Sequence, residues 1–292
     1  MSYTSFAVAG PGPTIGGRIV QARSISLNDR PRKAGLMFNI FNPLIQGAKI
    51  ATVDYTDVKT LASTLREHNV GVVISALAYG ALPAQWSIAD AAKEAGVKLF
   101  VPSEFGMPTE GGKDGHLAIK SEFAGKPVTD HKPDYVKSLG IPVLRIYTGV
   151  FMEFIPWLTG VELGKFHLMG EHTVSSSFTS LDDVSGFIAH VLTTLPASSL
   201  HDVTFRIQGE RTSLAAVGAL YEAHVPPVPV MHVTELPEGF VKQTFLQRKF
   251  DEGRLSSGWD NYLDKDIPEN ADSGNKAWEG HKWRSVKEVL GL

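Results

Sequence analysis

The first half of the sequence alternates short apolar runs with helix-like segments, and this alternation constrains the fold more than any other feature. Each run has four or five residues, is rich in β-branched side chains and is apolar on both faces of the strand it predicts. Strands buried on both faces are typical of parallel sheets covered by helices. The pattern therefore predicts an α/β fold with a Rossmann-type, doubly wound parallel sheet. The predicted strands are Phe6–Ala9, Lys49–Val53, Gly71–Ser75, Lys98–Val101 and Pro142–Ile146.

The segments between these runs carry helix start and stop signals. Asp57 is a predicted N-cap, and the Ala-rich segment from Pro83 to Ala95 is followed by Gly96, a residue that commonly ends helices. Further along, strands at residues 173–178 and 203–207 bracket a helix that begins near Asp182, and we expect both strands to extend the same sheet.

Beyond Arg211 the sequence pattern changes to short amphipathic segments separated by prolines, and this change predicts a smaller domain. A chain of 292 residues is long enough for about two domains. We expect a nucleotide-binding domain over residues 1–152, with its sheet extended by about residues 173–208. Residues 153–172 and 209–292 would form a smaller substrate-binding domain that acts as a lid.

The composition excludes several functional classes. The chain has 28 Lys plus Arg and 31 Asp plus Glu, so its net charge of −3 gives no basic surplus for nucleic acid or an anionic membrane. It has no cysteine, which excludes disulfides and cysteine nucleophiles, and its ten histidines show no metal-binding pattern. Without a visible secretion signal or a long apolar run, we expect a cytoplasmic protein. We also expect a monomer or homodimer that binds no metal.

A glycine-rich loop from Gly10 to Gly17 follows the first predicted strand. It is either a plain tight turn or a loop whose backbone approaches the diphosphate of a dinucleotide, and its place before a helix favours the dinucleotide. Prolines at positions 11 and 13 remove two amides from it. The predicted contacts of this loop are Gly10, Gly12, Pro13, Thr14 and Ile15.

Only five residues separate Gly17 from Arg23, too few for a full helix returning along the strand. Either the first helix has about two turns and residues 24–27 form a short second strand, or the unit is incomplete; we favour the short helix. Arg23 and Lys33 lie in a basic stretch that suits the 2′-phosphate of NADP or forms a solvated basic surface.

The segment from Pro102 to Gly106, with the sequence Pro-Ser-Glu-Phe-Gly, resembles the strand-end signature of the NmrA-like branch of atypical short-chain dehydrogenases. This branch includes the isoflavone reductase-like and phenylcoumaran benzylic ether reductase-like enzymes, and the C-terminal Trp278–Trp283 segment is similar to its fungal members. The resemblance implies NADP(H) as cofactor, with Arg23 and Lys33 at the 2′-phosphate. It also implies cofactor contacts from Ser75, Ala76, Ser103, Phe105 and Tyr147.

In that family a lysine assists hydride transfer, and the motif Lys-Ser-x-Phe-x-x-Lys carries it. Here the motif spans Lys120–Lys126, so the resemblance implies that Lys126 contacts the cofactor and acts as the catalytic residue. Pro127 and Pro133 interrupt the expected helix, and Lys132 is the alternative.

The resemblance implies an NADPH-dependent reductase of a small aromatic or polyketide-like molecule. The alternative is a non-catalytic, dinucleotide-sensing regulator. Tyr55 and Lys59 match the Tyr-x-x-x-Lys pattern of ordinary short-chain dehydrogenases but follow the wrong strand, so we interpret them as a coincidence at a helix start. Aromatic residues between Phe151 and Leu158 either wall a substrate pocket or pack in the core.

Overall fold

The computed structural model describes residues 1–10, 14–22, 36–40, 49–112, 120, 123 and 135–292. The chain divides into two compact units. The first comprises residues 1–105, 109–146 and 184–205, and the second comprises residues 106–108, 147–183 and 206–292.

Fourteen strands are present in the described residues, most of them three to five residues long. They are β1 (Ser5–Ala9), β2 (Leu36–Ile40), β3 (Lys49–Ala51), β4 (Val72–Ser75), β5 (Leu99–Val101), β6 (Leu144–Tyr147), β7 (Val150–Phe151), β8 (Phe166–Met169), β9 (Ser176–Thr179), β10 (Val203–Arg206), β11 (Glu210–Thr212), β12 (Val230–Val233), β13 (Trp259–Asp260) and β14 (Lys265–Asp266).

Nine helices have their bounds within the described residues. They are α1 (Ile15–Gln21), α2 (Val58–Glu67), α3 (Ala84–Ala95), α4 (Tyr135–Ser138), α5 (Ile155–Thr159), α6 (Leu181–Thr194), α7 (Leu214–Ala223), α8 (Val241–Asp251) and α9 (Val286–Leu290). Short 3-10 helices cover Tyr79–Ala81, Met152–Phe154, Val161–Leu163, Ala197–Leu200, Pro268–Asn270 and Asn275–Trp278. None of the described helices combines the length and the apolar character that a membrane span requires.

The first unit contains a five-stranded sheet in the order β3-β2-β1-β4-β5. β1 and β4 are parallel, with Ala9 opposite Ser75, and β4 and β5 are also parallel. A parallel bridge from Phe100 to Val143 continues the sheet toward β6, which pairs with β10. This strand order is that of a Rossmann fold, so the predicted α/β class is confirmed.

The second strand of this sheet differs from the expectation. The segment at residues 24–27 lies outside the described residues, and β2 runs antiparallel to both β1 and β3. Helix α1 has only seven residues, as the short-helix interpretation predicts. At 1.5 Å per residue it rises about 10 Å, less than the roughly 17 Å of a five-residue strand, so it does not return the chain for a parallel partner.

The core of the first unit confirms the expected burial of the strands on both faces. Every residue of β4 and β5 is buried, as are four of the five residues of β1. The Asp57 carboxylate caps α2 by accepting the Thr60 amide at 3.0 Å, and α3 ends at Gly96, whose φ is +75°. Both helix boundaries were predicted, because they depend on local residues.

The second unit has its own small sheets and its own core. β9 lies between β11 and β7, β8 pairs in parallel with β12, and β13 pairs with β14. The expectation that residues 173–178 extend the first sheet is therefore wrong for β9. Buried hydroxyls of β9 form hydrogen bonds inside the second unit: Ser177 donates to Gln208 Oε1 at 2.8 Å, and Thr179 donates to the Thr148 carbonyl at 2.7 Å.

Candidate functional site

The carboxyl ends of β1 and β4 lie side by side in the first unit. The Ala76 amide donates to the Ala9 carbonyl at 2.7 Å, which extends the pairing one residue beyond β4. β2 and β3 lie on one side of β1, whereas β4 and β5 lie on the other. Ligands of open α/β sheets bind outside the carboxyl ends of the strands at this change of direction. The strand order therefore gives the position of the candidate site.

Gly10 leaves β1 at this point and begins the glycine turn. Its φ is +80°, a conformation that residues with a Cβ rarely adopt. A Cβ at Gly10 would lie 2.7 Å from the Ala76 carbonyl oxygen and 3.1 Å from Leu77 Cδ2. The turn therefore rests directly on the main chain that follows β4, and only glycine fits there.

The hydroxyl of Tyr55 contacts the same turn. It accepts the Gly10 amide at 3.0 Å, and the Tyr55 side chain is buried in the first unit. Burial raises the pKa of the phenol. Sequence analysis missed this contact because the Tyr-x-x-x-Lys pattern directs attention to a catalytic role, and no local signal indicates that the segment after β3 reaches Gly10.

A buried hydrogen-bond network joins the ends of β4 and β5. The hydroxyls of Ser75 and Ser103 lie 2.8 Å apart, and Ser103 Oγ accepts the Leu77 amide at 2.9 Å. The Ser103 amide donates to Gln85 Oε1 on α3 at 2.8 Å. The predicted site residues Ser75 and Ser103 are thus together, and they fix the main chain at this edge of the sheet.

Glu104 is a buried acid directly after this network. Thr109 donates to its carboxylate at 2.8 Å, and Lys120 Nζ lies 3.4 Å from its carbonyl oxygen. Burial raises the pKa of the Glu104 carboxyl and lowers the pKa of the Lys120 ammonium, while the charge of each opposes the shift of the other. Each charge therefore offsets part of the cost of burying the other. The sequence placed Lys120 in a motif but gave Glu104 no role.

Gly106, the last residue of the Pro-Ser-Glu-Phe-Gly signature, belongs to the second unit. Its carbonyl accepts the amides of Thr148 and Gly149, at 2.9 and 3.1 Å. The neighbouring Tyr147 side chain is fully buried, and the Arg206 guanidinium carbon lies 5.3 Å from the centre of its ring. In this conformation the Tyr147 ring serves packing, and its contact with a cofactor stays a prediction.

The other predicted site residues divide into two groups. Thr14 is the N-cap of α1, although its side chain makes no capping hydrogen bond, and Ile15 and Ala76 are buried while Phe105 is partly exposed. The second group lies outside the described residues and consists of Gly12, Pro13, Arg23, Lys33, Lys126 and the alternative Lys132.

The aromatic segment after Tyr147 has a mixed environment. Leu158 is buried in the core of the second unit, whereas Trp157 keeps 37% of its surface exposed. Phe154 forms edge-to-face contacts with Phe151 at 5.4 Å and with Trp157 at 6.5 Å, between ring centres. Within the part of the chain that the structure describes, no group of three or more acidic or histidine side chains is arranged to hold a metal ion.

Several solved structures are similar to this chain over almost its whole length. The binary complex of leucoanthocyanidin reductase with NADPH from Vitis vinifera has a TM-score of 0.68 and 16% identity, and the match covers 97% of each chain. A structure of pinoresinol-lariciresinol and phenylcoumaran benzylic ether reductases has a TM-score of 0.70 and 20% identity, and the match covers 97% of this chain and 96% of the other. NmrA, a negative transcriptional regulator, has a TM-score of 0.61 and 15% identity, and the match covers 97% of this chain and 93% of the other. At these identities the likeness establishes the fold.

The family is established by a separate comparison. Curated protein sequences give no significant match to this chain. The sequence model described as the NmrA-like family matches residues 44–224, which is more than half of the chain. The resemblance seen at residues 102–106 is thereby confirmed: this chain belongs to the NmrA-like family.

Proposed function

We propose that this chain binds NADPH at the carboxyl ends of β1, β4 and β5 and reduces a small aromatic or polyketide-like molecule. The observation that carries the proposal is the glycine turn. Gly10 leaves β1 with φ of +80° and rests on the Ala76 carbonyl, at the position where the order of the strands changes direction. Missing side chains at such a turn let the backbone approach a diphosphate.

Different residues of the first unit would bind different parts of NADPH. The turn that starts at Gly10 would lie against the diphosphate, and the Ser75–Ser103 network would keep the adjoining strand ends fixed. Arg23 and Lys33 would pair with the 2′-phosphate. Residues of the second unit, in particular 153–172 and 209–292, would bind the substrate.

When bound, NADPH would supply the hydride, and a lysine of the chain would donate or accept the proton. We assign this role to Lys126, from its place in the Lys-Ser-x-Phe-x-x-Lys motif. An ammonium next to a bound nicotinamide would be partly desolvated, which lowers its pKa toward the working pH and suits it to acid–base chemistry. The structure of leucoanthocyanidin reductase with NADPH supports the choice of cofactor.

The second candidate function is a dinucleotide-sensing regulator without catalysis. Its support is the likeness to NmrA, a negative transcriptional regulator, over 97% of this chain. This candidate predicts nucleotide binding without turnover.

Two measurements separate these functions. Calorimetric titration with NADPH and NADH tests binding, and the proposal predicts tighter binding of NADPH. Oxidation of NADPH with a panel of small aromatic acceptors tests catalysis, and the variants Lys126→Ala and Lys132→Ala distinguish the assigned lysine from its alternative. Turnover that Lys126→Ala abolishes and Lys132→Ala retains supports the reductase. Binding without turnover supports the regulator, and no binding of either nucleotide refutes both.

A further inference from the structure

We propose that Tyr55 is a positioning residue for the nucleotide, because its hydroxyl fixes the amide with which the glycine turn begins. The proposal rests on the nucleotide site proposed above and extends it to a residue outside the glycine loop. The contact that carries it is the hydrogen bond from the Gly10 amide to Tyr55 Oη, at 3.0 Å.

Tyr55 is buried in a segment that is hydrogen-bonded on both sides of it. It lies between two aspartates that order the chain before α2: Asp54 accepts both the amide and the hydroxyl of Thr56, at 2.8 and 2.7 Å, and Asp57 caps the helix. The Tyr55 side chain is 8% exposed and belongs to the core cluster of the first unit. A phenol held in this way presents its oxygen at a defined position.

Gly10 is therefore fixed by two different contacts. Its Cα rests on the main chain at Ala76 and Leu77, where a Cβ would not fit, and its amide is bonded to Tyr55. These contacts determine the direction in which the chain leaves β1. A binding loop that is ordered before the ligand arrives loses less conformational entropy on binding, and this gain appears as affinity.

The bond also determines which amides the nucleotide can use. While Gly10 donates to Tyr55, its amide is not available to a phosphate oxygen. Contacts to the diphosphate must then come from donors other than the Gly10 amide. An alternative is that Tyr55 occupies the position of a phosphate and leaves when nucleotide binds. The burial of Tyr55 favours a permanent contact.

The test is the variant Tyr55→Phe, which removes the hydroxyl and keeps the ring. Tyr135→Phe is the matched control, since Tyr135 is also in the first unit and donates its hydroxyl to Asp90 at 2.6 Å, on α3. The dissociation constant of NADPH is measured by fluorescence titration, and the thermal midpoint is measured without nucleotide. We expect Tyr55→Phe to weaken NADPH binding about three- to tenfold, as the loss of one net hydrogen bond implies. Tyr135→Phe should bind NADPH as the wild type does.

Equal NADPH affinity in Tyr55→Phe and the wild type would overturn the proposal, and so would tighter binding, which would identify the phenol as a competitor of the phosphate. Equal weakening in both variants would also overturn it, because the effect would then be general destabilisation. Failure of the wild type to bind NADPH is seen before any variant is made and refutes the nucleotide site itself. If Tyr55→Phe does not fold, hydrogen exchange at the Gly10 amide of the wild type decides: protection before NADPH is added supports the proposal, and protection only afterwards contradicts it.

Discussion

Replacing Gly10 by alanine tests the account of the glycine turn at its most constrained residue. The substitution adds a single methyl group, and the atoms that this group would meet belong to Ala76 and Leu77. The new Cβ would lie 2.7 Å from the Ala76 carbonyl oxygen and 3.0 Å from the Ala76 carbonyl carbon. Both of these atoms belong to the backbone, so neither can move away as a flexible side chain would. We therefore expect β1 and the segment after β4 to be forced apart.

The expected loss has two parts. An alanine at φ of +80° is strained by about 1–2 kcal/mol. Forcing an extra methyl into a packed position typically adds about 1–3 kcal/mol. The free energy of unfolding should therefore fall by about 2–5 kcal/mol, a large part of the 5–15 kcal/mol typical of a folded protein.

Gly96→Ala provides the matched control. Gly96 has a similar φ of +75°, but a Cβ there would meet no atom within 4 Å. This variant has the same backbone strain but no steric clash, so its free energy of unfolding should fall by only about 1–2 kcal/mol. Urea unfolding followed by far-UV circular dichroism gives both free energies, and titration gives NADPH binding. Equal destabilisation of the two variants, or normal NADPH binding by a folded Gly10→Ala protein, would refute the reasoning.

Two further predictions concern buried polar groups. Ser103→Ala removes the acceptor of the Leu77 amide and leaves that amide buried, so we expect a loss of about 1–3 kcal/mol in urea unfolding; a loss no larger than that of an exposed serine would contradict the network. Burial lowers the pKa of His172, against the opposing charge of Asp251, whose carboxylate lies 2.9 Å from its Nδ1. At a pH between the lowered pKa of folded His172 and the ordinary pKa of an unfolded histidine, the unfolded chain binds one proton more than the folded chain. The free energy of unfolding therefore rises with pH in this range and falls as the pH falls. His172→Asn, which tolerates the positive φ of 47° at this position, should reduce the difference between unfolding midpoints at about pH 5 and about pH 7; an unchanged difference would assign it to other groups.

Features of the fold that depend on local residues could be predicted from the sequence. β4 and β5 are short runs that are apolar on both faces, and α2 and α3 have their signals in Asp57 and Gly96. Strand partners depend on residues distant in sequence. Strand β2 was not predicted, because the second strand was expected at residues 24–27. The placement of β9 was not predicted either, since periodicity identifies a strand but not the sheet it joins.

The same distinction applies to the site. Gly10 was expected at the site because it directly follows a predicted strand, where parallel sheets form their sites. Ser75 and Ser103 were expected from the family resemblance, and the structure brings these two side chains together. Tyr55 and Glu104 could not be predicted. Tyr55 reaches the turn across 45 residues of sequence, and the role of Glu104 depends on burial beside Lys120. The sequence shows which groups can ionise, and only the tertiary structure shows which of them are buried together.

The most direct test of the central claim is an NMR titration of the isotope-labelled chain with NADPH, followed at the backbone amides of the first unit. If the nucleotide binds at the ends of β1 and β4, saturable shifts should be largest at Gly10 and at Ser75, Ala76 and Leu77, and small in α2 away from the turn. Saturable shifts that leave these four amides unchanged, or no shifts at millimolar NADPH, would contradict the claim.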